Sequence, residues 1–461
     1  MSAFFDNLLA LLWNDLTRPR LREASGDGLE LGHRIAEERV TSERVVIPHE
    51  FRTFQLGVLG RTGSGKSSLI KSAASQDVDI RNDFGWVYFD LHGDADPFLQ
   101  RVIAAEEQRR HVDLSHKLIR VAPGDTRYSV GLNVLERRPG QNTFVQIAEF
   151  TQILKRHWHL DSFGAQTEEL LRNCLHVLVD NELTLVELTP LLTNSTFRQN
   201  CLSRVENPEI RAYFKARYDA ASAAMQSVMR NPILNKISFF TVDPHFRHVV
   251  GQRRSTFDLI EAMDRGCWVI LNLAKSELGE QSQTLASLIL AKLKNGLFAR
   301  RSRRLFTFYC DELQNLVASE SGIETLLSEA RKFGVSIVTA NQFLEQLSPL
   351  MRAALLSVQT HILFRLSSPD AEKLSTALDG GKNLATLLRS LPPRHMVVQS
   401  GDTPWRLVLA KTVREPRTDP SELYERSQRR WARRRNDIEQ EIRSRQPQPE
   451  HGTREALDEW T

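Results

Sequence analysis

The 461-residue chain contains no apolar run long enough to cross a bilayer, since a spanning helix needs about 20 predominantly apolar residues. It shows no basic leader followed by a small-residue cleavage site, so a secretory signal is not expected. Its four cysteines, Cys174, Cys201, Cys267 and Cys310, lie far apart and form no C-x-x-C pair. That argues against a disulfide framework or a cysteine metal site and for reduced thiols in a cytoplasmic setting. Neither sign of charge dominates, because 61 Lys and Arg face 57 Asp and Glu for a net +4. A nucleic-acid partner must therefore be argued from where the basic residues sit. No nuclease carboxylate cluster or metal motif is visible.

What is present is an ordinary globular composition, 41% hydrophobic and 26% charged, on a chain long enough for two to four structural units. Met1 to Leu16 carries Phe4, Phe5, Leu8, Leu9, Leu11, Leu12 and Trp13 among polar residues. The spacing predicts a short amphipathic docking helix, not a membrane anchor.

The decisive local pattern is Gly60-Arg61-Thr62-Gly63-Ser64-Gly65-Lys66-Ser67, followed by Ser68. It comes after the apolar run Phe54 to Leu59 and before a plausible helix, which is the strand–loop–helix setting of a P-loop. Backbone N–H groups there surround a polyphosphate, Lys66 reaches the β- and γ-phosphates, and the Ser67 hydroxyl ligates Mg²⁺. A nucleotide polyphosphate with Mg²⁺ is the expected ligand. Gly63 and Gly65 are expected to be glycine so that the backbone can close around phosphate oxygens.

Downstream, Gly85 to Asp90 and Leu118 to Val121 read as strands separated by a helix, the alternation of a parallel α/β sheet. From Phe144 to Val249 the pattern is helical. Strand signals return at Cys267 to Leu273 and at Leu305 to Cys310, the latter ending in Asp311-Glu312. An apolar strand ending in two acids supplies a metal-shell carboxylate, Asp311, and a water-activating one, Glu312. Ser336 to Asn341 is a further strand, ending at Gln342, which is placed to bond the γ-phosphate or the attacking water. Arg331 precedes it and, judged locally, is a solvated charge.

After Pro349 come a helix, a strand from His361 to Leu366, and a hairpin-like pair over Arg394–Gln399 and Trp405–Ala410. Ser421 to Arg445 reads as one charged helix bearing Arg426, Arg429, Arg430, Arg433, Arg434 and Arg435.

Taken in order, the chain resembles the HerA/FtsK superfamily of ring-forming ATPases, and more closely the soluble motor part of type IV coupling ATPases of conjugation. The carriers are Gly60–Ser67, Phe89-Asp90-Leu91-His92-Gly93-Asp94, Gly131-Leu132-Asn133-Val134-Leu135, Phe308-Tyr309-Cys310-Asp311-Glu312, and Glu329-Ala330-Arg331-Lys332-Phe333-Gly334 followed by Gln342. The resemblance implies an α/β fold, a RecA-like P-loop ATPase sheet with helices on both faces and an inserted all-α domain. The expected division is 1–50, an N-terminal helix and short strands; 51–137 and 251–412, the two parts of the motor; 138–250, the helical insertion; and 413–461, a charged helix and tail.

It also implies a homo-oligomer, a hexamer, that hydrolyses Mg·ATP to thread DNA. Arg331 would act as an arginine finger in the next subunit's site, and Gln342 as the sensor of nucleotide state. Gly251-Gln252-Arg253-Arg254-Ser255 is a candidate DNA contact. Two alternatives stand beside this: a secretion-type ATPase moving protein, or the ATPase half of a two-component system with a separate nuclease, relaxase or effector.

Overall fold

Short apolar segments with little polar alternation form the centre of the molecule, because strands covered on both faces must be apolar on both. In the computed structural model, which describes residues 28–137, 142–157, 164–279, 281–312, 316, 326–327 and 329–447, they assemble into one sheet. Met1–Leu16 lies outside the described residues. In chain order the strands are β1 (Gly28–Ala36), β2 (Arg39–Pro48), β3 (Leu56–Leu59), β4 (Gly85–Asp90), β5 (Leu118–Val121), β6 (Tyr128–Ser129), β7 (Trp268–Asn272), β8 (Phe306–Asp311), β9 (Val335–Asn341), β10 (Thr360–Leu363), β11 (His395–Ser400), β12 (Arg406–Ala410) and β13 (Arg433–Arg434).

The main sheet has 11 strands in the order β2-β1-β12-β11-β10-β3-β9-β8-β4-β7-β5. From β10 to β5 every neighbouring pair is parallel. From β10 to β2 every pair is antiparallel, so the expected hairpin of β11 and β12 is present and joins the N-terminal strands to the same sheet. Side chains alternate between two faces along a strand. On β4, Trp86 and Tyr88 join an apolar cluster with Leu69, Ile70, Leu99 and Ile103, from the helices Lys66–Gln76 and Ala95–Arg110. Val87 and Phe89 join the other, which is continuous with Leu170, Leu175 and Phe240 of the helical segment. The sheet is thus covered on both faces, and the chain is α/β as expected.

Between β6 and β7 the described chain is helical, from Thr143–His157 through Pro244–Val250. Polar contacts reinforce its apolar junction with the sheet. Asn133 Nδ2 donates to Leu183 O at 3.3 Å and Arg253 O at 3.0 Å, and a Cβ on Gly131 would come within 2.7 Å of the Gln252 side chain.

The charged segment read as one helix is two, Ser421–Trp431 and Arg435–Arg445. Ala432 is extended at φ −127°, ψ 165°, and Arg433–Arg434 pair as β13 with Tyr128–Ser129 of β6. Tertiary strand pairing, not a breaker residue, interrupts the helix. Beyond the break, Ile438 and Ile442 are fully buried, and Glu439 takes Arg247 at 3.1 Å from the helix Pro244–Val250. Among the described residues no helix is long and apolar enough to cross a membrane.

Candidate functional site

Register brings three strand ends level. Leu59 of β3 lies opposite Asn341 of β9, and Ala340 of β9 lies opposite Asp311 of β8. The next residues, Gly60, Gln342 and Glu312, therefore leave the sheet side by side at its carboxyl edge, where parallel sheets bind ligands.

The loop after β3 takes a shape that L side chains resist. Gly63 and Gly65 have φ of +74° and +118°, and left-handed backbone is what glycine permits cheaply. A Cβ on Gly63 would meet nothing within 4 Å, whereas one on Gly60 would come within 2.6 Å of Phe364 Cβ. The requirement at Gly63 is thus conformational, with open space in front of it. Lys66 opens the helix Lys66–Gln76 with Gly65 as its N-cap, so the unpaired N–H groups of a helix start face the loop.

The Lys66 ammonium is buried and folds back onto its own loop, donating to Gly60 O at 2.6 Å and Arg61 O at 3.2 Å. Burial pushes its pKa down, while Asp311 and Glu312 work in the opposite direction. Ser67 Oγ donates to Asp311 Oδ2 at 2.7 Å. Burial raises the Asp311 pKa, and the Ser67 bond, His92 and Lys66 counter it in part. Gln342 Nε2 donates to Glu312 Oε1 at 2.9 Å, and its Oε1 accepts from Thr62 Oγ1 at 3.1 Å. Gln342 thus ties the phosphate loop to the second acid. Glu312 itself has φ +58°, a backbone strain of the sort that clusters at functional sites.

These residues suit a metal-bound polyphosphate. Besides the open cradle at Gly63, Ser64 Oγ is buried without a partner among the described residues, and the Ser67–Asp311 pair joins a hydroxyl to a carboxylate, both oxygen donors of the kind Mg²⁺ takes. Ser68 is exposed on the helix's first turn, as are Arg61 and Thr62 on the loop.

Asp90, also at a strand end, is already used. It accepts from the N–H groups of Gly93, Ala95 and Asp96 at 2.8, 3.0 and 2.8 Å, capping the helix Ala95–Arg110. Two arginines not anticipated from the sequence border the loop. Arg61 N donates to Arg365 O at 2.8 Å, and Arg394 N donates to Ser64 O at 2.9 Å. Both side chains are exposed. Arg365 lay inside the expected strand His361–Leu366, but the chain leaves β10 at Leu363 to buttress the loop. No local pattern marks either residue, because a non-local strand order brings them there.

Arg331 is elsewhere. It lies on the short turn Ala330–Phe333 before β9, at the amino edge of the sheet. β9 spans seven residues at about 3.3 Å each, so about 20 Å of strand separates Arg331 from its own phosphate loop. The stretch Gly251–Ser255 packs at the junction of sheet and helices. Arg253 Nε donates to Glu182 O at 3.0 Å, and Arg254 pairs with Glu182 at 2.9 Å.

The family described as type IV secretion-system coupling protein DNA-binding domain matches residues 39–387. Among solved structures, the plasmid coupling protein TrwB in complex with ADP and Mg²⁺ superposes with a TM-score of 0.60 at 17% identity, covering 87% of this chain and 99% of that one. TrwBdeltaN70, a bacterial conjugative coupling protein in its unbound monoclinic form, gives 0.59 at 17%, covering 88% and 94%. VirB4 of Thermoanaerobacter pseudethanolicus gives 0.56 at 14%, covering 85% and 98%. At these identities the likeness is one of fold. No curated protein sequence matches the chain.

Proposed function

The chain belongs to the family of type IV secretion-system coupling protein DNA-binding domains, and we propose that it is a ring-forming motor that hydrolyses ATP to move DNA. The observation that carries this reading is the bonded set Ser67–Asp311 and Thr62–Gln342–Glu312 around one glycine loop. A loop that only bound nucleotide would need no second acid held toward it. In this reading Lys66 exchanges its carbonyl partners for β- and γ-phosphate oxygens, and Ser67 and Asp311 would hold the metal. Bound Mg²⁺ would offset charge on the phosphates.

Glu312 accepts a proton from water as the water oxygen bonds to the γ-phosphorus and the bond to the β,γ-bridging oxygen breaks. Gln342, bonded to both Glu312 and Thr62, aligns that carboxylate with the loop and registers the γ-phosphate's departure. Arg331 cannot reach across its own sheet. It acts on the phosphate of an adjacent subunit, which calls for a closed homo-oligomer, a hexamer by family resemblance.

ATPase rate with and without single- and double-stranded DNA, on protein sized in solution, tests this. Hydrolysis should be stimulated by DNA and should lose that stimulation steeply with salt, because phosphate contacts release counterions. A DNA-indifferent rate would overturn the DNA motor and favour a protein substrate. Undiminished hydrolysis by a monomer would overturn the shared site.

A further inference from the structure

The guanidinium of Arg331 is exposed, yet it does not wave freely. Its Cζ sits over the Phe54 ring, 3.4 Å from the centroid, and that aromatic is half-buried. A cation over an aromatic face is attracted to the ring's quadrupole, which restrains its position. The backbone that carries the ring is anchored on both sides. Gln55, next in the chain, is in the left-handed region at φ +72°, and its buried side chain binds two other segments, accepting from Ile337 N at 2.5 Å and donating to Leu327 O at 3.3 Å. Arg52, fully buried, is gripped by Asp77 through bonds of 2.6 and 2.7 Å, and its carbonyl accepts from Ser336 Oγ at 2.8 Å. Strain at a non-glycine residue persists only where surrounding structure imposes it. Here it sets the turn that carries Phe54.

Phe54 is remote from its own phosphate loop, which begins at Gly60 on the far side of β3. We propose that Phe54 is a positioning residue for the adjacent subunit's catalytic site: its ring holds Arg331 in the pose that meets the neighbour's γ-phosphate. This rests on the shared-site reading above.

The test uses full-length Phe54→Ala, with Phe54→Leu as a substitute should the alanine variant not fold and Phe54→Trp as the conservative variant. Phe54→Ala should lower kcat by about 10–100-fold, the scale of a misplaced catalytic group, with ATP affinity unchanged. Phe54→Trp should keep most of the activity. Mixed oligomers then separate this role from a merely structural one. Phe54→Ala mixed with Lys66→Ala should recover activity, because the Lys66→Ala subunit supplies an intact ring and finger to a neighbour with an intact loop. Phe54→Ala mixed with Arg331→Ala should not, because both lesions lie on the donating side.

The opposite pattern, rescue by Arg331→Ala but not by Lys66→Ala, would make Phe54 a support of its own loop and overturn the proposal alone. The control is Arg331→Ala mixed with Lys66→Ala. No recovery there would overturn the shared-site reading and this proposal with it.

Discussion

The two edges of the central sheet are built from different interactions. At the carboxyl edge, polar side chains from β8, β9 and the loop after β3 bond to one another across an open glycine cradle. At the amino edge, Arg52 and Asp77 are sealed inside, and Arg331 is held on the surface by an aromatic face. The first edge gathers oxygen donors and an ammonium around a space for phosphate. The second presents Arg331 at the opposite end of β9 from its own glycine loop. Parallel strands enforce the separation, because every loop that follows a strand emerges on one side and every loop that precedes one on the other.

The largest expected effect comes from removing the exported cation. Arg331→Ala should bind ATP normally and lose turnover by about 10³–10⁵-fold, the worth of an arginine finger. A loss of only a few-fold in steady-state hydrolysis would break the contrast between the edges. Next, Glu312→Gln should bind ATP and lose about 10²–10⁴-fold in turnover, the scale of general base catalysis. Retained turnover would remove the acid from the carboxyl edge's machinery.

The third effect concerns stability. Burial opposes the charge on Arg52, but Asp77 and Tyr309 more than offset it and raise its pKa. Tyr309 OH also donates to Asp77 Oδ2 at 2.6 Å, so this cluster links the end of the helix Lys66–Gln76 to the strand that carries Asp311. Asp77→Ala should cost about 3–5 kcal/mol in denaturant unfolding, since it leaves a buried guanidinium unpaired. The exposed pair Lys71–Asp94, 2.7 Å apart, should be worth about 0–1 kcal/mol. Equal costs would show that the amino edge is no more rigid than the surface.

The smallest effect is a pH dependence at Asp311. Its folded pKa is raised, chiefly by burial, so below the ordinary carboxylate range both folded and unfolded chains are protonated there. As pH rises, the unfolded chain ionises first, and the stabilising preference for the protonated form is lost as pH passes the folded value. Asp311→Asn should therefore leave the nucleotide-free protein at least as thermally stable as wild type at neutral pH, with the difference vanishing in acid. A lower Tm at neutral pH would show that the ionised carboxylate stabilises the fold instead.

Much of the carboxyl edge was legible in the sequence because its parts are contiguous. A glycine loop after an apolar strand, and an acid pair ending another, announce themselves within a few residues. The amino edge was not. Phe54 and Gln55 read as the start of β3, yet the strand begins at Leu56, and Gln55 is a buried polar anchor in left-handed backbone. Arg331 taken locally was a solvated charge, and only resemblance suggested more. The two C-terminal helices were read as one because nothing in Trp431-Ala432-Arg433 breaks a helix until Tyr128–Ser129 offers a strand partner. The basic cluster on them is partly spent on internal pairs, Arg426 with Glu107 and Arg433 with Glu441.

By itself the sequence determined the local chemistry: which turns need glycine, which segments are apolar enough to be central strands, and which acids end them. Those choices rest on backbone sterics and desolvation, which act over a few residues. The tertiary structure alone decided adjacency. Placing β9 between β3 and β8 puts Gln342 between the loop and the acid, and the length of that same strand puts Arg331 out of reach. Strand order and register depend on packing over the whole chain, so no short segment encodes them.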